Sequence, residues 1–187
     1  MILEGIVTTL TPMGEVNVAP MGPLVDAEMQ RLVLRPFQTS HTYRNLCHHG
    51  EGVFHVTDDV LLMARAALER LVEMPPMFPA QTIHGWVLQD ACRAYEFRVV
   101  GIDDRAERAN IDVEVVYYGV LRDFFGFNRA KHAVIEAAIL ATRTHLLPIA
   151  EVQAEFRKLG TIVEKTGGDQ EKEAFAFLRD YVSRGKH

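Results

Sequence analysis

The chain has 187 residues, of which 48% are hydrophobic and 24% charged, the make-up of a globular protein long enough to bury a full core. Its net charge is −5 and no basic block occurs, which argues against a nucleic-acid binder, since that needs concentrated positive surface. Two cysteines, Cys47 and Cys92, make no disulfide framework; with no secretory leader pattern in "MILEGIVTTL" and no apolar run of bilayer length, a cytoplasmic protein with no membrane partner is expected.

The front half reads as β structure. Ile2 to Thr11 is rich in β-branched residues, Pro12-Met13-Gly14-Glu15 supplies a turn, and "VNVAPMGP" completes a hairpin. Arg31 to Phe37 is a third short apolar run, ended by Pro36. Ser40 or Thr42 can cap a short helix over Tyr43 to His49, with Gly50 closing it. "GVFHVT" reads as a buried strand, and "VLLMARAALERLVE" carries leucines and alanines at helical spacing. The proline-broken stretch "EMPPMFPAQTIHGW" is expected to be a long surface loop.

Two long alternating strands follow, through Tyr95, Phe97 and Val99 and through Ile111, Val113 and Val115, joined by "DDRAERAN" as a hairpin. From Asn128 the pattern turns helical. "NRAKHAVIEAAILATRTHLL" has an alanine-rich face and ends at Pro148; "EVQAEFRKLGTIVEKT" and "DQEKEAFAFLRDYVSR" are separated by Gly167-Gly168. The expectation is an α+β fold: about six strands over residues 1–127, then a helical extension over 128–187 packed on them.

The stretch "LRPFQTSHTYRNLCHHGEGVFHV" poses the functional question. A helix N-terminus offers free N–H groups and positive potential, and Arg35 can add a bidentate contact, so that Thr39, Ser40, Thr42 and Arg35 together suit a phosphate, with Asn45 bracing the loop. The plainer alternative is that Ser40 caps the helix, Arg35 pairs with a surface acid and nothing binds there.

This stretch resembles the corresponding element of flavin-reductase-like, FMN-binding split-barrel proteins, where an arginine at a strand end precedes a Ser/Thr-rich turn and a Thr-x-x-Asn helix start. "NVAPMGP" is similar to the strand that presents Ala-Pro backbone to the isoalloxazine ring in that superfamily. "ILEGIVTT", "NVAPMGP", "GEGVFHVTDDV" and "NRAKHAVIEAAILATR", in that order, resemble an uncharacterised, domain-of-unknown-function branch of the superfamily. The resemblance implies a split β-barrel with a C-terminal helical extension. It also implies bound FMN, with the phosphate at Arg35, Thr39, Ser40 and Thr42, Asn45 nearby, and the ring along Asn17, Ala19, Pro20 and Met21. A homodimer with FMN at its interface is implied as well. So is an FMN-dependent oxidoreductase or flavin reductase using a reduced nicotinamide or deazaflavin-type donor, with a possible link to tetrahydromethanopterin-dependent one-carbon metabolism. A non-catalytic flavin carrier or sensor is the alternative.

Other constellations carry less. Cys47, His48 and His49 are helical neighbours that point apart, which disfavours a shared metal. His55 is either a buried structural histidine or a group reaching the cofactor. Arg129, Lys131 and His132 open a helix, where cations oppose the dipole; they are candidates for an anionic substrate group, with solvated charges as the alternative. No dinucleotide fingerprint, P-loop, zinc-protease or hydrolase motif is present. No catalytic residue is assigned, because flavin chemistry needs no protein acid or base of obvious pattern.

Overall fold

A computed structural model of the chain describes residues 1–185; Lys186 and His187, the last two of the expected helical extension, lie outside the described residues. The described residues form an α+β fold of two compact units, one of residues 1–57 and 74–124, the other of residues 58–73 and 125 onward.

The first unit is an antiparallel seven-stranded sheet. Its strands are β1 (Gly5–Leu10), β2 (Val16–Met21), β3 (Leu24–Val25), β4 (Arg31–Leu34), β5 (Glu51–Val56), β8 (Arg93–Asp103) and β9 (Asn110–Val120), in spatial order β2-β1-β5-β8-β9-β4-β3. The sheet curls into a half-barrel, and residues just ahead of β1 reach its far end: Ile2 bridges Leu24, and the Leu3 N–H donates to the Pro23 carbonyl. One wall of the core is built by Val7, Leu32, Leu34, Phe54, Phe97 and Ile111, all essentially inaccessible to solvent. Pro20 pairs with Ile6 on β2, an edge strand, which is where a residue without an N–H can sit in a sheet.

The β1–β2 hairpin turns at Gly14, φ 82°, as the turn chemistry requires. The "DDRAERAN" segment likewise joins β8 to β9, with Asp103 opposite Asn110.

The stretch expected to be a loop contains a hairpin of its own, β6 (Met77–Pro79) with β7 (Trp86–Leu88). It escaped the sequence reading because its strands are three residues long and carry Pro79. Two carboxylates hold its turn. Buried Glu96 accepts from the Gln81 and Thr82 N–H groups at 2.7 Å each, and Glu51 accepts from the His84 N–H at 2.9 Å. With the two-residue β3, also unforeseen, the described residues contain nine strands against about six expected.

The second unit contains α2 (Val60–Ala67), α3 (Arg129–Ala141), α4 (Ile149–Thr166) and α5 (Asp169–Ser183). Val60 and Ala64 of α2 belong to the same buried cluster as Ala130, Ala133, Ala137, Phe156, Phe175 and Leu178. Hence α2 clusters with the helical tail, although it precedes β6 in the chain. Helix α2 is shorter than its apolar spacing suggested, ending before Glu69, whose φ is 52°. Helix α3 also stops early, at Ala141, with turns filling the interval before Pro148. Among the described residues no helix is long and apolar enough to cross a membrane.

Candidate functional site

Helix α1 (His41–His49) lies in the first unit between β4 and β5. Ser40 caps it: its Oγ accepts from the Tyr43 N–H at 3.2 Å and donates to the Phe37 carbonyl at 2.7 Å. Gly50, φ 67°, ends it in the left-handed conformation. By position, the N–H groups of His41 and Thr42 have no intrahelical acceptor.

The turn before α1 is tied to the β8–β9 loop. Gln38 Nε2 donates to the Asp104 and Ala106 carbonyls at 2.5 and 2.7 Å, and Arg108 stacks over Phe37 at 4.1 Å. The Tyr43 hydroxyl donates to Asp104 at 2.8 Å, and this bond to a carboxylate raises the phenol above its ordinary range.

Arg35 follows the last residue of β4, at the strand end as the sequence indicated. Among the described residues no hydrogen bond or ion pair is formed by its side chain. Its Nε is buried and is the one buried side-chain nitrogen or oxygen among the described residues without a partner. A buried guanidinium N–H left unpaired is costly and native proteins avoid it. A dianionic phosphate would satisfy it through charge-assisted, bidentate contact, so the residues present fit such a group. The expected alternative, Arg35 paired with a surface acid, is not what the structure holds.

Around α1 a second polar group assembles. Asn45 Nδ2 donates to Thr9 Oγ1 at 3.0 Å, and Asn17 Nδ2 donates to Thr9 Oγ1 at 3.3 Å and to Thr42 Oγ1 at 3.2 Å. Thr9, Thr42 and Asn45 are buried and Asn17 is half-buried. The structure thus brings Asn17, Thr42 and Asn45 together through Thr9, which the sequence reading missed. Its one visible signal was alternation along β1, which separates Thr9 from Thr8 on opposite faces.

Ser40 directs its hydroxyl proton to the Phe37 carbonyl while capping α1. Buried Thr42 accepts from Asn17 through its Oγ1, a bond that does not use its own hydroxyl proton. Thr39 is exposed and remains available. Ala19, Pro20 and Met21 are half-buried on edge strand β2, with Asn17, Ala19 and Met21 on one face and Pro20 on the other.

His55 is structural. It is inaccessible to solvent, its Nδ1 lies 3.2 Å from the Ile6 carbonyl, and its Nε2 accepts from the Leu88 N–H at 3.0 Å. The accepting Nε2 leaves the proton on Nδ1. Burial pushes its pKa from 6.5 down to about 4. His49 spends its ring on the Thr11 carbonyl at 2.9 Å.

In the second unit the three candidate cations at the start of α3 have different surroundings. Lys131 Nζ binds Glu171 at 2.7 Å, the Asp58 carbonyl at 2.7 Å and Gln170 at 3.3 Å, which consumes its three donors. Burial opposes ionisation of Glu171, but hydrogen bonds from Lys131 and the Gly168 N–H outweigh it and hold the carboxyl below its usual range. Lys131 is therefore a structural cation. Arg129 and His132 are exposed, His132 with its ring edge-on to Phe127 at 6.0 Å.

The chain matches the family described as "Protein of unknown function (DUF447) N-terminal domain" over residues 3–122, and its companion, "Protein of unknown function (DUF447)", over residues 128–180. It belongs to the DUF447 family. No curated protein matches it. Among solved structures it is similar to an FMN-bound DUF447 protein from Methanosarcina mazei, with TM-score 0.83 and 24% identity, covering 96% of this chain and 94% of that one. It is also similar to the 2-nitrobenzoate 2-nitroreductase of Pseudomonas fluorescens (TM-score 0.54, 21% identity, 63% of this chain and 64% of that one). A flavoredoxin from Methanosarcina acetivorans is comparable (TM-score 0.54, 12% identity, 64% and 68%). The fold is thus the flavin-reductase-like split barrel, and the DUF447 likeness, unlike the other two, extends through the helical unit.

Proposed function

We propose that this chain is an FMN-binding flavoprotein and that it works as an FMN-dependent oxidoreductase or flavin reductase. The observation that carries the reading is Arg35: a buried, unpaired guanidinium N–H at a strand end, five residues ahead of a helix cap. Arg35, the Thr39 hydroxyl and the free N–H groups of His41 and Thr42 would hold the phosphate, and β2 from Asn17 to Met21 would lie along the ring. The M. mazei protein of the same family carries FMN, and the similar structures include a nitroreductase and a flavin reductase, which supports redox turnover over simple carriage. When bound, FMN supplies the hydride chemistry; the protein contributes orientation, exclusion of water and electrostatics.

Two finer parts belong to the same proposal. A reduced nicotinamide or deazaflavin-type donor delivers the electrons, and a step of tetrahydromethanopterin-dependent one-carbon metabolism is the setting in which the oxidoreductase acts. The active form is a homodimer. Val100, Ile102, Tyr117, Tyr118 and Val120 are exposed on β8 and β9, and apolar surface of this kind is where a second copy would pack.

Gentle purification followed by a visible spectrum tests the reading. The expected result is a yellow protein, or a colourless one that turns yellow on stoichiometric FMN, with flavin reduced by NAD(P)H or a reduced deazaflavin faster than free FMN. A protein that takes up no FMN contradicts it. One that binds FMN without accelerating its reduction supports the carrier alternative instead.

A further inference from the structure

The node around Thr9 has a polarity of its own. The Asn17 carboxamide owns two N–H bonds, and both are used inside the protein, on Thr9 Oγ1 at 3.3 Å and on Thr42 Oγ1 at 3.2 Å. Among the described residues no donor reaches its Oδ1. Since Arg35 Nε is the one buried side-chain polar atom without a partner among the described residues, Asn17 Oδ1 is open to solvent. Thr9 is itself pinned by a second amide, Asn45 Nδ2 at 3.0 Å, and both Thr9 and Asn45 are nearly inaccessible. Strands β1 and β2 and helix α1 thereby agree on one orientation of one amide.

We infer that Thr9 is a positioning residue that, with Thr42, fixes Asn17 so that it offers bound cofactor an acceptor and never a donor. This rests on the FMN reading and refines it. Asn17 takes an N–H or O–H of the ligand, either an imide N–H of the flavin ring or a ribityl hydroxyl, and it makes no contact with a phosphate or carbonyl oxygen. An acceptor-only side chain also rejects ligand groups that accept, because a carbonyl facing a carbonyl leaves both unpaired and desolvated.

The test is FMN titration by fluorescence quenching on wild type and the variants N17A, N17D, T9V and T9S. N17D keeps the acceptor, and the Thr9 and Thr42 hydroxyls can turn their protons toward the carboxylate; its affinity is expected within about threefold of wild type. Were Asn17 donating to a phosphate or carbonyl oxygen, N17D would lose about a hundredfold or more, and the inference would be wrong.

T9V is expected to weaken binding about tenfold, with T9S within about twofold of wild type, and T9V added to N17A should cost nothing more. A full additional loss in that double variant would show that Thr9 does not act through Asn17. Should T9V fail to fold, N17D and N17A carry the test alone. Two analogues distinguish the donor: N3-methyl FMN weakens wild type but not N17A if the ring supplies the proton, and a ribityl-deoxy FMN does so if the sugar chain does. Equal losses in wild type and N17A with both analogues overturn the inference. Wild type that binds no FMN refutes the proposed function itself, and so the two failures are told apart.

Discussion

Lys131 and Arg35 are both cations drawn into the fold, and their surroundings differ completely. Lys131 in the helical unit directs its ammonium to a carboxylate, a backbone carbonyl and an amide oxygen, and Glu171 answers with its second oxygen on the Gly168 N–H. Nothing in that cluster is left over. Arg35 in the barrel unit has a buried Nε–H that finds no partner among the described residues. The first arrangement is what folding requires of a partly buried charge; the second is a cost that folding alone does not explain. The comparison separates a satisfied charge from an unsatisfied one, where sequence position had marked both as candidates.

The comparison can be broken from the structural side first. Lys131→Ala strands Glu171 in a nearly buried site and should cost about 3–5 kcal/mol of stability, with FMN affinity unchanged in the folded fraction. Chemical denaturation together with flavin titration checks both halves; a variant of normal stability and weakened flavin binding would reverse the assignment.

His55 gives the next effect. Its folded pKa is about 4 against 6.5 unfolded, so between those values the unfolded chain binds a proton that the folded chain refuses. Its contribution is intact above pH 6.5 and is lost as pH falls toward 4, amounting to about 3 kcal/mol. The stability difference between wild type and His55→Gln should shrink by that amount across the window. A constant difference would mean that the histidine titrates normally.

The smallest effect is at Asn128, whose side chain accepts from the Ala130 and Lys131 N–H groups at the start of α3 and donates to the Thr166 carbonyl at 3.0 Å. Asn128→Ala should cost about 1 kcal/mol, read from the denaturation midpoint.

Much of this organisation was legible. Alternation predicted β8 and β9, Gly14 and Gly50 marked a turn and a helix end, and the Thr-x-x-Asn segment pointed to the polar group on α1. What stayed hidden is long-range by nature. Three-residue strands such as β6 carry too few side chains to show a period. That α2 clusters with α3 and α5 is a fact of tertiary contact, and local pattern is silent on it. The site was half legible for the same reason: Arg35, Asn17 and Asn45 are visible as residues of suitable chemistry. Thr9, nearly forty positions from Asn45, is an ordinary strand threonine until the fold brings its hydroxyl to two amides. Ser40 and Lys131 show the converse, side chains of suitable chemistry whose donors are already taken.

The most direct measurement compares FMN with riboflavin, which lacks the phosphate, on wild type and Arg35→Ala. Wild type should prefer FMN by about a hundredfold, from charge-assisted contacts to the phosphate worth about 3 kcal/mol. Arg35→Ala should remove most of that preference and leave riboflavin affinity where it was. A variant that keeps the preference for FMN, or loses both flavins equally, would mean that the unpaired guanidinium does not hold the phosphate.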